Sequence, residues 1–202
     1  MKNVQDPAAE LERPGILKSE PTILVAMPTM TEPVFEKTVM LLIEHNLDGA
    51  MGVILNRPTE TSMSSLMLES HLEIPEAIPT WFGGPLATDN GLVLHNNGEP
   101  ITTLGSITLS ATKEDLENLV GYNVNLAGET GEYLYPYRFL AGYAGWGPGQ
   151  LEDEMKQGAW FQIALDMDLL FNTKADSMWA TSTNSLGITS GQLTSMNHEY
   201  LI

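Results

Sequence analysis

Five consecutive apolar residues, Val39-Met40-Leu41-Leu42-Ile43, mark the first firm element of the chain. A strand with one wet face alternates apolar and polar positions, so a run that is apolar throughout predicts a strand buried on both faces. Ala50 to Leu55 is nearly as apolar, and Asn46-Leu47-Asp48-Gly49 between the two runs is rich in residues that favour turns. A link this short cannot make a parallel crossover, so the two strands form an antiparallel hairpin. Pairing across the turn sets His45 beside Ala50 and Thr38 beside Arg57. Seven residues at about 3.3 Å each separate the two ends by roughly 23 Å. Glu44 and His45 therefore belong to one end of the hairpin, Asn56 and Arg57 to the other.

The same reading extends along the chain. Thr22 to Met27, closed by Pro28, is an earlier strand, and Thr29 to Lys37, with Pro33, a connection. Met63, Leu66, Met67 and Ser70 at helical spacing predict a short helix over Ser62 to Ser70. Trp81-Phe82 before Gly83-Gly84-Pro85, then Leu92 to His95, then Ser106 to Leu109, are short strands divided by turn residues. Thr112-Lys113-Glu114-Asp115 resembles a capping box, with Leu116, Leu119 and Val120 on one face and Gly121 as a stop. Arg138 to Ala144 is a strand, and Pro148 is placed to open a helix that runs through Lys156 and stops at Gly158. Trp160 to Leu165 returns to strand character, while Met167 to Phe171 and Ser177 to Leu186 suit helices. Strands and helices mix without βαβ alternation, which predicts an α+β fold with a mostly antiparallel sheet. The organisation expected is a loose leader over 1–20, a single domain over 21–188 and a loose Ser/Thr/Asn-rich tail over 189–202.

Charge narrows the function. The 202 residues include 26 acids against 9 Lys and Arg, a net charge of -17, yet only 17% of the chain is charged. The imbalance comes from missing bases rather than surplus acids, and it is spread over both halves. Such a field repels nucleic-acid backbones and anionic membranes, so neither is an expected direct partner. With no cysteine, thiolate nucleophiles, disulfides and zinc-thiolate sites are excluded. Met1 to Gly15 lacks an apolar signal core and no apolar run is long enough to span a bilayer, so a cytoplasmic location is expected.

Leu24-Val25-Ala26-Met27-Pro28, Glu44-His45-Asn46, Gly49-Ala50-Met51-Gly52, Asn56-Arg57-Pro58, Gly83-Gly84-Pro85, Leu94-His95 and the tract from Gly142 to Leu151 follow one another in an order that resembles the YqgE/AlgH family of bacterial proteins. Gly158-Ala159-Trp160, Leu170-Phe171 and Trp179 extend the resemblance, which covers roughly Gly15 to Ile188. It implies an α+β fold whose bifurcated sheet curls into a pseudo-barrel with flanking helices. It implies no agreed reaction; the family's label as a transcriptional regulator names a role, not a chemistry. Many members carry a cysteine where this chain has Ile43, so a thiol-based role cannot operate here.

The candidate chemistry is sparse. Glu44 and His45 suggest an acid/base pair, or with His95 the start of a metal site, but neighbours in a strand point to opposite faces, and a hydrogen-bonding role at the hairpin end is the plainer reading. Arg57 follows Asn56 at a strand end, where its guanidinium can fork onto a bound carboxylate or phosphate, or onto a protein carboxylate as a buried ion pair. If the first strand packs antiparallel on the hairpin, Pro28 to Phe35 lies at the same end and helps form a polar cleft. Arg138, at the start of its strand, has the same two readings. Gly145 to Gln150 offers backbone amides at a helix start, with Trp146 and Gln150 as flanking contacts, but Glu152, Asp153 and Glu154 already satisfy the helix dipole. The glycine pair Gly83-Gly84 lacks a phosphate-loop Lys, and no Gly-x-Ser-x-Gly elbow exists. The 11 methionines, Met27, Met40 and Met51 among them, read as core filler. No cofactor, metal or catalytic set is implied. The sequence favours a non-enzymatic binding or regulatory domain with a protein or small-molecule partner; the alternative is a small-metabolite sensor or enzyme using the Asn56 and Arg57 end.

Overall fold

The computed structural model describes residues 21–62, 79–96, 107–110 and 137–187. Nine strands lie in these residues, β1 (Thr22–Ala26), β2 (Val39–Asn46), β3 (Gly49–Ile54), β4 (Pro58–Ser62), β5 (Pro79–Phe82), β6 (Leu86–His95), β7 (Thr108–Ser110), β8 (Tyr137–Trp146) and β9 (Trp160–Ala164). Three helices follow β8: α1 (Gln150–Lys156), α2 (Met167–Phe171) and α3 (Ala175–Ser185). The fold is α+β. The helix expected over Ser62 to Ser70 falls outside the described residues save for Ser62, as do the helix from Thr112, the leader and the tail.

The strands run β4-β5-β8-β3-β2-β1-β9, with β6 and β7 branching from β8. The β5–β8 pairing is parallel and the others antiparallel, so the sheet is mixed. It forks at β8, where Phe139 to Ala141 face β5 and Ala144 to Trp146 face β3, while β6 runs along the opposite edge. Gly142 sits at the fork with φ +75, and a Cβ there would lie 2.5 Å from the Gly84 carbonyl oxygen, so only glycine fits. Among the described residues β4 and β9, the ends of the path, do not pair, and the sheet stays open.

The all-apolar run of β2 does separate two layers of core. Val39, Leu41 and Ile43 pack with Ile23, Val25, Val53, Leu92, Leu94, Leu140 and with Leu170 and Met178 of α2 and α3. Met40 and Leu42 face the other way, toward Leu24, Ile54, Trp146, Leu151 and Trp160. The β2–β3 hairpin forms with His45 opposite Ala50, as expected, but a bulge between Leu42 and Glu44 shifts the register by one. Beyond it Met40 faces Ile54, and Leu55 donates its backbone N–H to the Val39 carbonyl, which carries Thr38 toward Asn56 rather than Arg57. An uninterrupted apolar run contains nothing to mark the extra residue.

The second layer reveals how strongly the sheet bends. Trp146 pairs with Ala50 on β3, and Trp160 with Ala26 on β1, so the two indoles start from diagonal corners of the five strands β8-β3-β2-β1-β9. On a flat sheet four strand spacings alone would part them by about 19 Å. Their ring centroids are 5.9 Å apart, edge to face. The strands therefore curl around this cluster, and small Ala26, Ala50 and Ala144 leave room for the rings. Among the described residues no helix is long and apolar enough to cross a membrane.

Candidate functional site

The structure brings Asn56, Arg57 and Arg138 to the same few residues. Asn56 is buried; its Oδ1 accepts from the Val39 N–H at 3.0 Å and its Nδ2 donates to the Lys37 carbonyl at 2.9 Å. Arg57, half-buried, donates through Nη2 to the Glu36 carbonyl. Arg138 donates through Nη1 to the Leu55 carbonyl at 3.0 Å and through Nε to the Leu170 carbonyl at 2.7 Å, and its guanidinium lies 4.2 Å from the centre of the Trp81 ring. Burial pulls the Arg138 pKa down to about 10, so the group stays charged at neutral pH. Among the described residues the cation is held by two carbonyl dipoles and an aromatic face.

On sequence alone each arginine is open to two readings, a bound ligand or a buried ion pair. Among the described residues neither meets the carboxylate expected of a buried ion pair; each grips backbone instead. The predicted proximity of Pro28 to Phe35 does hold, since Ala26 donates to the Thr38 carbonyl and Thr38 to that of Phe35. Lys37, with φ 52, is part of the strap that Asn56 and Arg57 hold.

The other end of the hairpin is wetter. Asn46 donates to the Glu44 carboxylate and accepts from the Asp48 N–H at 2.7 Å, which fixes the turn and leaves Leu47 95% exposed at its tip. His45 points to the opposite face, where its Nε2 lies 2.8 Å from Glu152 Oε1 of α1. A bond from its own backbone N–H and then His45 hold the Glu152 carboxyl below the usual range. His95 is buried on β6 between Thr108 and Tyr137, whereas His45 lies near Trp146 at the far end of β8. The metal trio of Glu44, His45 and His95 therefore does not assemble. Among the described residues no group of three acids or histidines can hold a metal ion.

Helix α1 supplies a contact the sequence reading did not single out. Glu154 accepts the indole N–H of Trp146 at 2.9 Å and that of Trp160 at 2.8 Å on one oxygen, and the Gln150 side chain at 2.9 Å on the other. Gln150 Oε1 in turn accepts the Gly147 N–H at 3.1 Å, so the supposed anion cradle is partly filled by the chain's own side chain. Two tryptophans flanking an acidic helix were a signal, since a buried indole N–H needs an acceptor. The helix starts at Gln150, after Pro148, and ends as predicted: Gly158, with φ +75, donates to the Met155 carbonyl.

Comparison with known proteins places this geometry in context. The model of the family described as AlgH-like, DUF179, matches residues 23–191. A UPF0301 protein of Burkholderia multivorans is 38% identical over 176 residues, spanning 84% of this chain and 89% of its own length. A UPF0301 protein of Burkholderia thailandensis is 37% identical over 182 residues, with the same coverage. The solution structure of the AlgH protein from Pseudomonas aeruginosa superposes with a TM-score of 0.65 at 32% identity, covering 87% of this chain and 92% of that one. The crystal structure of DIP2367 from Corynebacterium diphtheriae, 22% identical with a TM-score of 0.62 over 89% of this chain and 92% of that one, shares the fold.

Proposed function

The chain belongs to the AlgH-like family, and from that premise we propose that it is a non-enzymatic binding domain of the cytoplasm. It acts in regulation through a protein or small-molecule partner and not by gripping DNA itself. The observation that carries this reading is the use made of Asn56, Arg57 and Arg138. The polar groups best suited to hold a substrate are bonded to backbone carbonyls and stabilise the fold. The charge of -17 argues against direct nucleic-acid contact. The single domain is taken to span 21–188, with its branched, curled sheet approaching the pseudo-barrel of the family. The test is incubation of the purified chain with a metabolite panel followed by proton NMR, beside gel shifts on DNA at low salt. No turnover and no shift are expected; turnover lost in Arg57→Ala, or a salt-sensitive shift, would overturn the proposal.

A second reading, a metabolite sensor at the Asn56 and Arg57 end, has one observation in its favour. Arg57 is only half-buried, and among the described residues its side chain makes one hydrogen bond. An anion that raises the melting temperature of wild type but not of Arg57→Ala supports this reading, and an unresponsive wild type removes it.

A further inference from the structure

Strand β9 ends the sheet, and among the described residues its sole neighbour is β1. Met27 donates to the Ala159 carbonyl, and alternation along an antiparallel pair then turns the N–H and C=O of Trp160, Gln162 and Ala164 to the outer edge. Edges are usually blunted by lysine, proline or an inward charge, yet Trp-Phe-Gln-Ile-Ala has none. Phe161 is 43% exposed beside this edge. A groove of about 730 Å³ beside it is lined by Phe161, Ile163, Leu165 and Leu186 and by Asp166 and Asp168, which follow the C-terminal end of β9 in the chain.

We propose that this edge docks an extended segment of another protein, which adds a strand antiparallel to β9. Its alternate apolar side chains lie in the groove, and basic residues at its N-terminal end meet Asp166 and Asp168. Charge selects the occupant: a second copy brings the same two aspartates and a net charge of -17, whereas a basic segment complements them. The proposal rests on the reading of the chain as a binding domain and names its partner's chemistry.

The full chain is titrated into a fluorescein-labelled peptide of two basic residues followed by alternating valine and threonine, with a counterpart whose basic residues are glutamates. Anisotropy should report binding of the basic peptide, about tenfold weaker binding or less for the acidic one, and a similar loss in the double variant Asp166→Asn/Asp168→Asn, in which asparagine can still cap α2. Gln162→Pro removes an outward N–H that β1 does not use, so binding should vanish while the melting temperature stays near that of wild type. Hydrogen exchange at Gln162 and Ala164 should be fast in the free chain and slowed by the peptide. Slow exchange before peptide is added means that the chain itself or a second copy fills the edge, and overturns the proposal, as do equal affinity for both peptides or full binding by Gln162→Pro. Failure on these counts leaves the binding-domain reading standing, because turnover and DNA shifts test that separately.

Discussion

The β2–β3 hairpin carries polar side chains at both ends, and the two ends use them differently. Around Leu55 to Arg57 the partners are backbone groups: Asn56 holds the Lys37 carbonyl and the Val39 N–H, Arg57 holds Glu36, and Arg138 reaches in to hold Leu55. Around Glu44 to Asp48 the partners are other side chains or the turn itself, and His45 reaches across to Glu152 on α1. At the first end Leu55, Asn56 and Arg138 are buried and Arg57 is half-buried, whereas at the second Asn46, Leu47 and Asp48 are exposed. A buried donor must find an acceptor at any cost in freedom, whereas an exposed one can exchange its partner for water. Similar residue types thus act as structural pins at one end and as adjustable surface contacts at the other.

The sharpest way to break this contrast is Arg138→Ala. It strands the Leu55 and Leu170 carbonyls and empties the face of Trp81, and about 3 kcal/mol of stability should go, read from urea unfolding. A near-neutral result would mean that water replaces the guanidinium and that this end is wetter than its contacts imply. Asn56→Ala removes an acceptor and a donor from buried backbone, and about 2 kcal/mol is expected by the same measurement. Glu154→Ala leaves two indole N–H groups seeking water at the partly buried cluster, for about 1 kcal/mol and a shift in tryptophan emission.

The smallest effect belongs to the wet end. In His45→Ala the Glu152 carboxyl should titrate at a higher pH by NMR, with only a small fall in the urea midpoint at neutral pH. The sign follows from linkage: a carboxyl whose folded-state pKa is depressed contributes fully above the usual carboxylate range. That contribution is lost as pH falls through the folded-state value. A midpoint shift at neutral pH as large as that of Asn56→Ala would erase the distinction between the ends.

Much of the fold is legible in local pattern. The hairpin turn, the doubly buried β2, and the end of α1 at Gly158 follow from residues within a few positions of one another. The bulge at β2 is not, because an extra apolar residue among apolar residues leaves no mark. Nor is the parallel pairing of β5 with β8, whose partners Thr80 and Phe139 meet only through the global path of the chain. At the candidate site the sequence singles out Asn56, Arg57 and Arg138, and the structure groups them. Their partners were illegible for a simple reason: every residue has a carbonyl, and nothing in a sequence says which one an arginine will reach. Glu154 escaped notice because its neighbours in the acidic run, Glu152 and Asp153, look the same until the tryptophans close around one of them.

The pairing of β1 with β9 has a bearing on how the chain is made. Thr22 and Gln162, bonded side chain to side chain, are 140 residues apart, whereas β2 and β3 are joined by one short turn. Contacts that close long loops form late, so the hairpin is available early in synthesis while β1 waits for its second neighbour until Ala164 has emerged from the ribosome. During that interval Thr22 to Ala26, uncharged and without proline, is itself the open edge of the growing sheet. A chain truncated before Trp160 would lack β9 and would be expected to keep that edge open to pairing with other chains.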